Sequence, residues 1–246
     1  VESGITDIVI VTGRNKNSIE DHFDYSFEVE KTLEEQGKLE LLEKIKYISS
    51  MANIFYVRQN KPLGLGHAIL KAKPFIGDEP FVIALGDDIM YNEEKQVTKQ
   101  LIENYEKHGN SVIGVQEVAD EDVSKYGIVK PIKSLDEDTV LMSDFIEKPR
   151  LEDAPSKMAC LGRYLLTSDI FKHLEDQKPG VGGEIQLTDS ILSMIKDGKN
   201  VGAYRFKGKR YDIGSKLGLL KANIEFGLRN EETKEGLKEY LKTIKL

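Results

Sequence analysis

Four short runs, Ile5 to Val11, Asn53 to Val57, Phe81 to Leu85 and Ser111 to Val115, are rich in β-branched or aromatic residues and bounded by Gly, Asn or Asp. Near-continuous apolar runs of this length suit strands buried on both faces, and the stretches between them carry helical spacing. Residues 1–120 therefore read as βαβ repeats around a parallel sheet. Between the first two runs, Phe23, Phe27, Leu33, Leu41, Leu42, Ile45 and Ile48 mark helical faces broken near Gly37, so Ser18 to Ser50 reads as two or three helices. The acidic run there, Glu28, Glu30, Glu34 and Glu35, reads as a solvated helix face.

After Asp120 the strands shorten and turns multiply: Tyr126 to Pro131, Val140 to Phe145, Met158 to Leu165 and Val201 to Phe206, with a hairpin turn at Leu135 to Asp138. That texture extends the sheet in a mixed or antiparallel sense, with helices at Ser168 to Leu174 and Gln186 to Lys196. From Ser215 the chain reads as helical, and Leu237, Leu241 and Ile244 form a stripe that packs on the domain or meets another subunit. Packing on the domain is the simpler reading.

Composition removes several functional classes. Acidic residues exceed basic ones by seven, and no dense Lys/Arg block is present, so the electrostatic footprint of a nucleic-acid binder is missing. No apolar run approaches the roughly 20 residues that span a bilayer. Cys160 is the sole cysteine, which excludes an internal disulfide and any multi-cysteine metal site; with no secretory leader before the first strand, the expected compartment is the cytoplasm. His22, His67, His108 and His173 form no HxxxH or HExxH pair, so they read as surface residues and not as a zinc site.

The chemistry-bearing residues sit where strands end. Leu85-Gly86-Asp87-Asp88 delivers carboxylates after an apolar run, the position from which Asp87 can hold Mg²⁺ against phosphate oxygens, although a solvated acidic turn has the same appearance. Gln59-Asn60-Lys61-Pro62-Leu63-Gly64-Leu65-Gly66-His67 follows a strand and opens a helix. Its glycines permit close backbone approach, and the Gln59 amide can pair with a base or sugar. Glu147-Lys148-Pro149 presents a hydroxyl acceptor beside a cation able to neutralise phosphate charge, and Tyr211-Asp212-Ile213-Gly214 supplies a second carboxylate. Asp87 and Asp212 together with substrate phosphates suit one Mg²⁺.

In order, the segments VTGRNK, EDHFD, VRQNKPLGLGHA, LGDDI, YGIVKP, FIEKPR, GRYLL, GGEIQLTDSI and GKRYDIGSKLG resemble the bacterial UTP–glucose-1-phosphate uridylyltransferase (UDP-glucose pyrophosphorylase) family across essentially the whole chain. The resemblance implies an α/β fold, the Rossmann-like nucleotidyltransferase α/β/α sandwich with a mixed central sheet. Residues 1–214 would be the nucleotidyltransferase domain, and 215–246 a C-terminal helical extension that serves as an oligomer contact. It implies an enzyme making UDP-glucose and pyrophosphate from UTP and glucose 1-phosphate, with Mg²⁺ as cofactor and a homo-oligomer, dimer or tetramer, as its assembly. Gln59 and Gly64 would contact the uracil, with Gly66 shaping that loop. Asp87 and Asp212 would hold Mg²⁺. Gly127 and Glu147 would contact glucose, Lys148 would grip its phosphate, and Gly162 and Glu184 would line the sugar pocket.

Members of that family begin with a strand and a GxGTRxxPxTK-type loop that cradles the triphosphate, whereas this chain opens at Val1-Glu2-Ser3-Gly4. The expectation is an N-terminally incomplete domain, missing a βα unit on the order of 40 to 50 residues, that turns over poorly alone. Open alternatives are a dTTP- or CTP-dependent sugar-1-phosphate nucleotidyltransferase, a non-catalytic sugar-phosphate or nucleotide binder, and an assembly role for the C-terminal helices.

Overall fold

All four apolar runs of the first half are strands in the computed structural model, which describes residues 1–244. The chain runs β1 (Asp7–Thr12), α1 (Asn17–Phe23), α2 (Phe27–Glu35), α3 (Leu39–Ser50), β2 (Asn53–Arg58), α4 (Leu65–Ile76), β3 (Phe81–Ala84) and β4 (Asp88–Tyr91). It continues through α5 (Val97–His108), β5 (Ser111–Glu117), β6 (Gly127–Ser134), β7 (Thr139–Glu147), β8 (Met158–Leu166), α6 (Asp169–Asp176) and α7 (Leu187–Lys196). It ends with β9 (Val201–Arg205), β10 (Lys209–Asp212), α8 (Lys216–Arg229) and α9 (Lys234–Thr243). The chain divides into two compact units: Val1–Phe81 with Leu166–Asn200, and Val82–Leu165 with the segment from Val201 on.

In the first unit, β1 and β2 pair in parallel from Asp7↔Asn53 to Thr12↔Arg58, which sets their carboxyl ends side by side. The intervening stretch makes three helices, α2 and α3 being parted at Gly37 as the break in periodicity predicts. Ile170, Leu174, Leu187, Ile191 and Met194 of α6 and α7 are at most 2% exposed, each worth roughly 2 to 3 kcal/mol of transfer free energy. Two expectations need correction here. Glu30 does not lie on the solvated face: it is 8% exposed, and its Oε1 has no hydrogen-bond partner. His173 is likewise buried, with Nδ1 2.9 Å from Ser193 Oγ, because α6 turns that side toward α7.

The second unit is built on a six-stranded sheet in the order β3-β8-β5-β9-β7-β6. β5 runs antiparallel to β8 and parallel to β9, while β7 runs antiparallel to both β6 and β9. One additional pairing, Ile128↔Ala159, brings β6 onto β8 and curls the sheet. Val97, Leu101, Val112, Val123, Ile128, Ala159, Leu161, Leu165 and Phe206 form its apolar core. The central sheet is thus mixed, as the fold class requires, and the expectation of a run of parallel neighbours holds for β1 and β2 but not for β5, whose flanking strands come from the second half of the chain. A small antiparallel pair, β4 with β10, stands apart in the register Asp88↔Asp212 to Tyr91↔Lys209.

α5 stops at Gly109, which is left-handed (φ 69°) and donates to the Tyr105 carbonyl at 2.7 Å. α8 starts on Ser215, whose hydroxyl accepts from the Gly218 N–H at 3.0 Å. In the C-terminal stripe Leu237 and Leu241 are half-buried, with Leu237 against Gly227 of α8, while Ile244 is 45% exposed. Residues 245 and 246 of the expected extension lie outside the described residues.

Candidate active site

In the first unit, the parallel register of β1 and β2 builds a polar cleft of about 370 Å³ lined by Arg14, Asn15, Asn17, Arg58, Gln59 and Asn60. It lies past the carboxyl ends of two parallel strands, where open α/β sheets collect ligands. Gln59 donates from Nε2 to the Gly64 carbonyl at 3.1 Å and sits 2.8 Å from His67 Nδ1. Burial, with help from the Lys71 charge, lowers the His67 pKa, which favours the neutral ring. The loop is closed on its other side by Gly66 N–H to the Ile185 carbonyl (2.9 Å) and Ile185 N–H to the Leu63 carbonyl (2.8 Å).

Close approach explains both loop glycines. A β-carbon at Gly64, whose φ is +96°, would lie 2.8 Å from Glu184 Cβ, and one at Gly66 would lie 2.8 Å from the Ile185 carbonyl oxygen. The structure therefore brings Gln59, Gly64, Gly66 and Glu184 together; Glu184 is exposed and accepts from Gln186 Nε2 at 2.9 Å. Arg14 and Arg58 were not singled out by sequence reasoning, although each lies in a quoted segment. The available signal was an arginine just after the first strand and another closing the second.

In the second unit, the two adjacent carboxylates of the β3–β4 turn have opposite environments. Asp87 is exposed, whereas Asp88 opens β4 and is buried. A β-carbon at Gly214 would lie 3.2 Å from Asp87 Oδ2 and 3.2 Å from Asp212 Oδ1, so these oxygens are at most twice that distance apart. The Ile213 N–H donates to the Asp87 carbonyl at 2.9 Å and fixes the two segments to each other. Among the described residues no group of three or more His, Cys, Asp or Glu is arranged to hold a metal ion. A carboxylate pair fits a hard cation that takes one or two carboxylates and completes its shell with water and phosphate oxygens.

Asp88 faces inward. Arg210 Nε donates to its Oδ1 at 2.5 Å, the side chains being 14% and 6% exposed. Burial pushes the Asp88 carboxyl above the usual range; Arg210 draws it back, and the charges of Asp87 and Asp212 oppose it further. Burial also works against the Arg210 charge, yet its bond to Asp88 leaves that guanidinium raised. The Asp88 carboxyl fills the space where Gly162, buried and at φ +70°, lacks a side chain. Next to it, Arg163 reaches the Asp88 carbonyl through Nη2 at 3.4 Å while its buried Nε has no partner.

Gly127 and Glu147 are cross-strand partners at one end of the β6–β7 ladder. A β-carbon at Gly127 would run into the Phe145 ring and lie 3.0 Å from Glu147 Oε2. Lys148 follows at φ +47°, left-handed for a residue that is neither Gly nor Asn and that precedes a proline. Its N–H donates to the Tyr126 carbonyl at 3.0 Å, which holds it there. Its Nζ lies 3.4 Å from Glu147 Oε1, both side chains being more than half exposed, a pairing too weak to keep the ammonium from a ligand phosphate.

The chain matches the family model described as nucleotidyl transferase over residues 1–227. It is 51% identical over 244 residues to UTP–glucose-1-phosphate uridylyltransferase 2 of Staphylococcus saprophyticus subsp. saprophyticus, covering 99% of this chain and 83% of that protein. Among solved structures it is similar to a UTP-bound UGPase from Acinetobacter baumannii, with TM-score 0.91, 38% identity, and coverage of 99% of this chain and 85% of that one. It is also similar to a UDP-glucose pyrophosphorylase complexed with UDP-glucose, with TM-score 0.83, 42% identity, and coverage of 93% and 83%.

Proposed function

Because this chain belongs to the nucleotidyl transferase family, we propose that it is a UTP–glucose-1-phosphate uridylyltransferase that makes UDP-glucose and pyrophosphate. The observation that carries the reading is the convergence of the Asp87 and Asp212 oxygens beside Gly214, in the unit that also holds Glu147 and Lys148. Relatives bearing that enzyme name are about half identical to it over nearly the whole chain.

In this reading Gln59 and the Gly64–Gly66 loop contact the uracil, and Arg14 and Arg58 give the neighbouring cleft its positive charge. Gly127 and Glu147 contact glucose, and Lys148 holds its phosphate. A phosphate oxygen of glucose 1-phosphate attacks the α-phosphorus of UTP in line, the bond to the β-phosphate oxygen breaks, and pyrophosphate leaves. Two anions must be brought together, so positioning and charge neutralisation carry the catalysis. Lys148 neutralises the attacking phosphate. Asp87 and Asp212 would hold Mg²⁺, which when bound would supply Lewis-acid stabilisation of the phosphate oxygens.

No described helix is long and apolar enough to cross a membrane; the cytoplasm is the compartment that belongs to this reading, because its substrates are a nucleoside triphosphate and a sugar phosphate. The homo-oligomer, dimer or tetramer, would use the C-terminal helices, where Leu217 and Leu220 of α8 are 62% and 61% exposed.

The test is pyrophosphate release from UTP, glucose 1-phosphate and Mg²⁺. It is run on the 246-residue chain and on the same chain carrying a family-type N-terminal strand and glycine-rich loop, with dTTP and CTP as competitors. Release with UTP supports the reading, preference for dTTP or CTP reassigns the nucleotide, and silence in both forms overturns the enzyme.

A further inference from the structure

Arg210 joins the two parts of the second unit to which the transferase reading gives different tasks. Through Nε it holds Asp88, the cross-strand partner of the metal carboxylate Asp212 and the immediate neighbour of Asp87. Through Nη1 it donates to the Tyr126 hydroxyl at 3.0 Å, and its guanidinium carbon lies 5.0 Å from the centre of the Tyr126 ring. The Tyr126 carbonyl in turn accepts the N–H of left-handed Lys148. An unbroken chain of contacts thus runs from the carboxylate pair through Asp88, Arg210 and Tyr126 to the residue that meets the sugar phosphate.

We propose that Asp88, Arg210 and Tyr126 are positioning residues that set the metal carboxylates against the Glu147-Lys148 segment. The inference rests on the transferase reading. A guanidinium suits the task because its planar fork donates in two fixed directions at once, whereas an ammonium is a single flexible point charge. Asp88 is buried under Gly162, so it acts through Arg210 and the β4–β10 pair and not as a third metal ligand.

Three substitutions separate positioning from bulk stability. Tyr126→Phe keeps the ring and removes the hydroxyl, Asp88→Asn keeps the shape and removes the charge, and Arg210→Lys keeps the charge and loses the fork. Readouts are KM for glucose 1-phosphate and for UTP at saturating Mg²⁺, kcat, glucose 1-phosphate binding by calorimetry, and Mn²⁺ affinity in the presence of UDP-glucose by electron paramagnetic resonance.

Removing a residue that orients ligands commonly costs on the order of tenfold or more in affinity or activity. Tyr126→Phe is expected to weaken glucose 1-phosphate and lower kcat by about tenfold while leaving KM for UTP within about twofold. Asp88→Asn is expected to weaken Mn²⁺ by about tenfold, and Arg210→Lys to impair both without rescue. The Asp88→Asn and Tyr126→Phe effects should be non-additive, since both act through Arg210.

A wild type that binds glucose 1-phosphate and releases pyrophosphate, beside folded variants with unchanged affinities, overturns the inference alone. Variants that lose thermal stability with equal loss of sugar and UTP affinity also overturn it, in favour of a merely structural network. A wild type that neither binds glucose 1-phosphate nor releases pyrophosphate in either form, the 246-residue chain or the same chain with the family-type N-terminal strand and glycine-rich loop, overturns the transferase reading and this inference with it.

Discussion

Asp87 and Asp212 each bring one carboxylate oxygen to within 3.2 Å of the place a β-carbon on Gly214 would occupy. They arrive there from a turn and a strand end far apart in sequence, tied by the Ile213 N–H to the Asp87 carbonyl. Asp87→Asn or Asp212→Asn should lower kcat by on the order of a thousandfold, about 4 kcal/mol, if each supports the metal charge at the phosphates. Asp87 is exposed, so its variant should fold normally. Near-normal turnover at physiological Mg²⁺ would remove both residues from the metal site.

Lys148 combines an exposed ammonium with a strained backbone, φ +47° before Pro149. Left-handed geometry costs a residue with a β-carbon roughly 1 to 2 kcal/mol, a cost that glycine avoids. Lys148→Gly should therefore unfold in urea at about 1 kcal/mol higher stability than Lys148→Ala. Both variants should lose turnover and glucose 1-phosphate affinity together. Equal stability of the two would mean that the native backbone is not strained there.

The sequence carried most strands and the spans of α6 and α7 because β-branched runs and helical spacing are local signals. It did not carry the β4–β10 pair, since Asp88-Ile89-Met90-Tyr91 is only four residues long and its partner lies about 120 residues away. The same distance hid Arg210, an unremarked basic residue in GKRYD until Asp88 and Tyr126 are found beside it. Arg14 and Arg58 share a cleft only because Thr12 pairs with Arg58, and register is not a local property. The adjacent acids were legible as a pair. Which one faces out and which is buried depended on Arg210 and Gly162 from other strands.

Cys160, the sole cysteine, sits in β8 at 7% exposure, and burial pushes its thiol up to about 12. The thiolate is the reactive species, so the folded protein should be inert to an aromatic disulfide reagent at pH 8 and should release one equivalent after denaturation. Labelling of the native protein should follow the rate of global unfolding and rise with denaturant. Rapid labelling in buffer would show that the β8 region opens locally.

Glu225 of α8 ties that helix to β10, the strand bearing Asp212. It accepts from Lys209 Nζ at 2.5 Å, Tyr211 Oη at 2.6 Å and Arg229 Nη2 at 3.2 Å, and the Arg229 guanidinium carbon lies 4.1 Å from the Tyr91 ring centre. The Lys209 hydrogen bond first, then that from Tyr211, lower its carboxyl from 4.5 to about 2. The folded protein therefore binds this proton less readily than the unfolded chain, and the associated stability is fully present above the ordinary value of 4.5. It is lost as pH falls from there toward about 2, where both states become protonated. The Tm gap between wild type and Glu225→Gln should be widest near neutrality, shrink through that acid window, and narrow in high salt because the partners are near the surface. A gap independent of pH would assign the loss to packing of α8 and not to the carboxylate charge.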